Sequence, residues 1–393
     1  MVTSDRRFRE EIVDRANAVV PVLRDNSSWS EENRRLSTEA IAALAGAGLF
    51  RLRHPKRFGG YEAGARTLVD VAAVLGRADG AAAWVTSVYW IPGWMASMFP
   101  DEVQEQVFAD PDARVCGTLS PSAMSAPADG GIVVNGKWGF ISGALHAGWQ
   151  EIISVHVPEE GPPHPVVALV PMTDLLVVDD WQTSGMRGSG SVSTVAKDLF
   201  VPSERVLPLA TVLEGNPVSP VSAASPIYRT PLLPVASASS VGAVLGLGRA
   251  AMDAFLARLP GRKITYTGYE SQSAAPLTHL QVAEAARKLD EAEFHAYRLA
   301  DTVDRKTAGG SGWDLPERAR VRADLGAAVR LVKEAVDVLA TASGGSSVYS
   351  DVPIQRIQRD VHAVSLHALM HPDTNDELYG RILCGLEPDT LYL

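Results

Sequence analysis

Three histidines near the C-terminus, His362, His367 and His371, offer proton chemistry by residue type and spacing. Imidazole exchanges protons near neutral pH. They lie in a run where Ile354, Ile357, Val361, Val364, Leu366 and Leu369 recur at roughly helical intervals. That pattern predicts one helix with a single buried face, and His367 and His371, four apart, would share a side of it. By type alone each is equally an ordinary structural histidine. His371, beside Pro372, would end the helix and meet its last carbonyls, and His362 reads as structural. Ser142, before Gly143, is a hydroxyl that either caps its own backbone or faces a ligand. Trp84, Tyr89, Trp90 and Trp94, with Trp138 further on, are either core or the walls of a flat pocket. Trp84 and Tyr89 are the preferred pocket members. His146, near Trp149, and His371 are further lining candidates.

Other chemistries lack their signatures. There is no H-E-x-x-H and no cysteine pair, so no metal is expected. No G-x-G-x-x-G follows a strand, so no nicotinamide dinucleotide unit is expected. The 393 residues carry a formal net charge of −10, which argues against nucleic-acid or anionic-membrane partners. Two cysteines, Cys116 and Cys384, make no disulfide framework. The charged N-terminus does not read as a secretory signal, and a cytoplasmic setting is expected.

The elements that must position these residues come in three blocks. Residues 1–115 read as helices, with Ser37 capping a helix that ends near Gly46 and Gly48. A long Ala/Val-rich helix pair follows, with Gly80 near its middle. Residues 116–206 are short β-branched runs between Gly, Pro, Asn and Asp, expected as an antiparallel sandwich or barrel with Asn135-Gly136 at a hairpin tip. Residues 207–229, rich in proline and serine, read as a linker. Residues 230–393 return to long amphipathic helices, with Pro316 in the first turn of one. The uncharged run before Arg249 is broken by Pro234, Gly242 and Gly246 and reads as a buried helix rather than a membrane span. Segregated blocks of this kind predict an α+β architecture.

Helical domain, β domain and four-helix bundle, at this length, resemble the acyl-CoA dehydrogenase fold. The resemblance covers essentially the whole chain. It rests on LSTEAIAALAGAGLFRLRHPKRFGG, CGTLSPSA, VNGKWGFISGA, GMRGSGSVSTVAKDLFVP and GGSSVYSDVPIQRIQRD, in that order. One departure matters. Where those dehydrogenases commonly carry a glutamate base, this chain has Ser365-Leu366-His367-Ala368. FISGALHAGW and RDVHAVSLHALMHP are similar instead to the oxygenase components of two-component flavin-dependent monooxygenases, the group D aromatic hydroxylases.

The resemblance implies reduced FAD or FMN supplied by a separate flavin reductase, O2 as co-substrate, and hydroxylation of a bulky aromatic, a polycyclic phenol or an indole, through a flavin C4a-hydroperoxide. Ser142 and His367 are then the catalytic residues. His367 acts either as base toward the substrate or as acid toward the peroxide. Thr118, Ser120, Trp138, Phe140, Ser142, Arg262, Tyr269, Gly344, Gly345 and Ser346 become flavin contacts, with Lys263 and Arg258 rivals to Arg262. A homotetramer is implied too. A flavin dehydrogenase with a relocated base, a nitrogen or sulfur oxygenase, and a silent scaffold remain alternatives.

Overall fold

The computed structural model describes residues 2–310 and 312–393. Helix α1 (Val2–Asn33) and α2 (Thr38–Gly46) lead to the pair α3 (Ala65–Ala78) and α4 (Gly80–Ala96), then α5 (Asp101–Val107). Ser37 caps α2 by accepting the Ala40 N–H at 3.0 Å. Asp79, between α3 and α4, does the same for Ala82, each cap being worth about 1 kcal/mol.

The β domain is one sheet: β1 (Val115–Gly117), β2 (Ala123–Ala128), β3 (Gly131–Ile141), β4 (Trp149–His156), β5 (His164–Pro171), β6 (Leu176–Val178), β7 (Val192–Pro202) and β8 (Val206–Pro208). Its order is β6-β7-β3-β2-β4-β5-β8. Most pairs are antiparallel, as expected. However, β1 and β2 both run parallel to β4, taking successive halves of one edge. The hairpin tip is also displaced. It falls at Asp129-Gly130, where Gly130 has φ +76°. Asn135-Gly136 lies inside β3 at a register shift against β7, with Asn135 hydrogen-bonded to Asp198. A turn-forming dipeptide can serve a bulge as well as a hairpin.

The expected linker is folded into the body. It holds α6 (Leu209–Leu213) and α7 (Pro220–Ala224), and Leu209, Val212, Ile227 and Tyr228 are buried. Proline begins α7 here, where its missing N–H costs nothing.

The bundle comprises α8 (Leu232–Arg258), α9 (Pro276–Gly309), α10 (Leu315–Ala342) and α11 (Pro353–Ser365), with α12 (Pro372–Leu383) against α10. Helix α8 is long and apolar enough to cross a membrane, yet 94% of its most apolar window is buried inside the protein. It lies along α3 so closely that a Cβ on Gly246 would stand 2.5 Å from the Ala73 carbonyl oxygen. This approach seats the α3–α4 pair on the bundle and places α4 between the bundle and the sheet.

Candidate active site

Strand β3 loses its regular pairing between Trp138 and Ile141. Phe140 there takes φ +62° and leaves its ring 73% exposed, a rare combination for an aromatic residue. The chain then turns at Ser142-Gly143. Gly143 has φ +73°, and a Cβ there would fall 2.5 Å from Tyr89 Oη. Tyr89 Oη donates to the Gly143 carbonyl at 2.6 Å, and the Gly143 N–H donates to the Ser189 carbonyl at 3.0 Å. Ser142 is held from both sides.

The segment between β6 and β7 forms the next wall. Trp181 Nε1 donates to the Met186 carbonyl at 3.1 Å, and the Met186 N–H donates to the Asp360 carboxyl at 2.5 Å. Arg359 donates to the Ser184 carbonyl and pairs with Glu31 on α1. Burial, with Asp79 adding to it against the Met186 N–H and Arg356, pushes Asp360 up to about 7. Serine hydroxyls run through this wall. Ser142 Oγ accepts the Trp84 indole N–H at 3.1 Å and shares a 2.7 Å hydrogen bond with Ser191 Oγ. Ser191 shares another of 2.7 Å with Ser189, which donates to the Met186 carbonyl at 2.7 Å.

The third wall comes from the bundle. Helix α11 ends at Ser365, so Leu366 and Leu369 do not continue it, and His367 sits in the following turn. The apolar spacing persisted although the backbone did not; Leu366 is exposed. His367 packs edge-on against Trp84, with ring centroids 5.1 Å apart. As a residue it is exposed, with its ring lining the cleft against Trp84. Loss of solvation, with the Arg322 charge second, pushes its pKa down to about 4. The Leu369 N–H donates to its Nδ1 at 3.2 Å. A neutral ring whose Nδ1 accepts must carry its hydrogen on Nε2.

These walls enclose a cleft of about 640 Å³, within the range of small-molecule sites. Trp84, Phe140, Trp181, Met186, Val364 and Leu366 make its apolar surface, and no carboxylate lines it among the described residues. Arg359 is already paired, and His362 is held by Asp337 at 2.7 Å.

The other sequence candidates stand elsewhere. Trp138 is fully buried, its indole N–H donates to the Ile153 carbonyl, and it lies outside the cleft lining. Tyr89 is also core and supports Gly143 from behind. His146 packs beside Leu36 and Arg114, outside the cleft lining. His371 begins α12 as its N-cap residue instead of ending the preceding helix, and it does not line the cleft. Thr118 and Ser120 lie in the loop after β1, also outside that lining. Arg262 does meet the Gly344–Ser346 turn: it donates to the Ser343 carbonyl at 2.6 Å, and both it and Arg258 reach Ser346 Oγ. Tyr269 closes the loop between α8 and α9 by accepting the Ile264 N–H on its carbonyl, and the residue is 43% exposed. Trp181, Met186, Ser189 and Ser191 were missed as site residues. Met186, Ser189 and Ser191 fall within GMRGSGSVSTVAKDLFVP, one of the segments that carried the resemblance, and Trp181 lies four residues before it.

Residues 238–372 match the family described as acyl-CoA dehydrogenase, C-terminal domain. A pigment production hydroxylase of Rhodococcus sp. is 32% identical over 381 residues, covering 96% of this chain and 97% of that protein. The oxygenase component of an FADH2-dependent resorcinol hydroxylase of Rhizobium sp. is 30% identical over 391 residues, covering 97% and 96%. The structure of XiaF from Streptomyces sp., in complex with FADH2 and glycerol, superimposes with a TM-score of 0.92 at 30% identity, covering 100% and 99%. With similarity to these proteins along its whole length, the chain belongs to the flavin-dependent monooxygenases of acyl-CoA dehydrogenase fold, as the oxygenase component of a two-component system.

Proposed function

We propose that the cleft takes the ring of a reduced flavin and an electron-rich, uncharged aromatic together, and that the product is the hydroxylated aromatic. The observation that carries this is the meeting at Trp84 of Ser142, from the sheet, and His367, from the bundle. The walls fit a flavin ring. They are largely apolar, and the exposed, strained Phe140 stands edge-on to Trp181 beside a row of hydroxyls. Phe140, Trp181 and Met186 would hold the ring, with Ser142 toward its reactive edge. Reduced flavin, when bound, supplies the electrons that let O2 donate one oxygen atom. A separate reductase delivers it, since the chain lacks a dinucleotide fingerprint.

The lining carries no carboxylate and no unpaired arginine, which favours a neutral fused-ring phenol or an indole over an acid, and oxygenation over proton abstraction from a thioester. His367 enters as an N–H donor from Nε2 rather than as a base. It holds the substrate's hydroxyl oxygen and stabilises charge that develops there, as a neutral imidazole can. The cluster of Arg258, Arg262 and Ser346 lies outside its own chain's cleft. Its positive charge suits the phosphate end of a flavin, and the family resemblance points to a flavin held by a second copy in a homotetramer.

The test supplies chemically reduced FAD or FMN, isotopically labelled O2 and a panel of phenols and indoles, and reads the products by mass spectrometry. One labelled oxygen in an aromatic product is expected. A chain that binds reduced flavin yet oxygenates none of the panel sinks the hydroxylase reading. Light scattering tests the tetramer.

A further inference from the structure

The row of hydroxyls in the cleft wall has a direction. Each serine has one hydrogen to give, and the row ends on the Met186 carbonyl, which can only accept. The other end begins at the Trp84 indole N–H, which can only donate. Four hydrogen bonds form when every hydroxyl points the same way: Trp84 to Ser142, Ser142 to Ser191, Ser191 to Ser189, and Ser189 to Met186. Reversing the two serine–serine bonds frees the Ser142 hydrogen for the cleft but removes the 2.7 Å bond from Ser189 to Met186. One bond is lost unless the ligand replaces it. All three serines are at least nine-tenths buried, so bulk water does not readily make up the difference.

We propose that Ser191 and Ser189 are positioning residues that turn the Ser142 hydroxyl hydrogen away from the cleft, so that the site presents an acceptor and selects reduced over oxidised flavin. This rests on the reading that a flavin occupies the cleft with its N5 toward Ser142. Reduced flavin carries a hydrogen on N5 and donates to Ser142 Oγ with the row intact. Oxidised flavin has only a lone pair at N5. It either faces the Ser142 lone pair or forces the row to reverse and give up its bond to Met186. The row therefore favours the form that the reductase delivers and helps release the spent form.

The ratio of dissociation constants for oxidised and reduced flavin is the readout, measured by equilibrium dialysis, anaerobically for the reduced form, with FAD and with FMN. In Ser191→Ala and in Ser189→Ala the row is cut and Ser142 is free to donate. The preference for reduced flavin is expected to fall about fivefold, the effect of one ordinary hydrogen bond. Ser191→Thr keeps the hydroxyl and is expected to keep the ratio. Equal weakening of both redox forms in the alanine variants, or an unchanged ratio, overturns the proposal. A wild-type protein that binds reduced flavin no better than oxidised flavin also overturns it, but leaves the flavin cleft standing. A wild-type protein that binds neither form removes the underlying reading as well.

Discussion

The indole N–H of Trp84 donates to Ser142 Oγ across 3.1 Å, joining helix α4 to the end of strand β3. Trp84→Phe keeps an aromatic ring against His367 but deletes this donor. A buried hydroxyl that loses a partner costs about 1–3 kcal/mol. The expected result is retained binding of reduced flavin with a roughly tenfold fall in product formed per flavin oxidised. The balance should appear as hydrogen peroxide. Unchanged coupling would show that the Trp84–Ser142 bond has no part in oxygen transfer.

His367 offers a sharper substitution. His367→Ala should lower the hydroxylation rate by about a hundredfold while flavin binding persists. His367→Gln places an amide N–H near where the ring carries its own. If the histidine acts as a donor, Gln should recover much of the rate. No recovery with Gln, with activity in the wild type requiring deprotonation near neutral pH, would return His367 to the role of base.

The pH dependence has a defined sign. His367 is pushed down to about 4, so it stays neutral through the neutral range, and activity should be level until acid conditions approach that value. His54, fully buried at the turn after α2, is likewise pushed down to about 4 by burial from an ordinary 6.5. The unfolded chain protonates His54 first. Stability is therefore intact above about 6.5 and falls as the pH drops from there toward 4, by about 3 kcal/mol from this residue. Denaturant unfolding across that window checks it, and His54→Gln should flatten the slope.

Asp360 separates acceptor from charge. Asp360→Ala leaves the Met186 N–H without its partner and should cost about 1–3 kcal/mol and weaken flavin binding. Asp360→Asn keeps an oxygen acceptor and should retain binding. Because the folded carboxyl is raised to about 7 from an ordinary value near 4, the unfolded chain ionises first, and stability falls as pH rises from about 4 and levels off above about 7. The Asn variant should therefore gain on the wild type as pH rises from about 4 to about 7 in unfolding experiments, with no further gain above that.

The three-block architecture was legible in the sequence because helical and strand periodicities change abruptly near Cys116 and again after the proline-rich segment. Ser37 as a cap was likewise legible, and Trp84, Ser142 and His367, singled out by type and resemblance, line one cleft. Apolar periodicity reports which side chains are buried, however, and says nothing of where the backbone stops being helical. Helix α11 therefore appeared to run on through Leu369 and to carry His371 on the face of His367. Residue type misled at Trp138 and Tyr89, since a buried aromatic whose N–H or O–H meets a carbonyl looks the same in sequence as one facing a ligand. Ser189 and Ser191 lay in a segment that carried the resemblance, but their roles could not be read there, because a serine's partners are set by tertiary distances of under 3 Å.

Helix α4 ties its large aromatics to three separate parts of the chain. Trp84 reaches Ser142 and Tyr89 reaches Gly143, while Trp90 donates to the Leu49 carbonyl and Trp94 to that of Ile227. Its buried residues also belong to all three large hydrophobic cores. No block can therefore melt by itself and leave the others folded. Despite its length the chain should unfold in one cooperative step, with tryptophan emission and flavin release sharing a single midpoint.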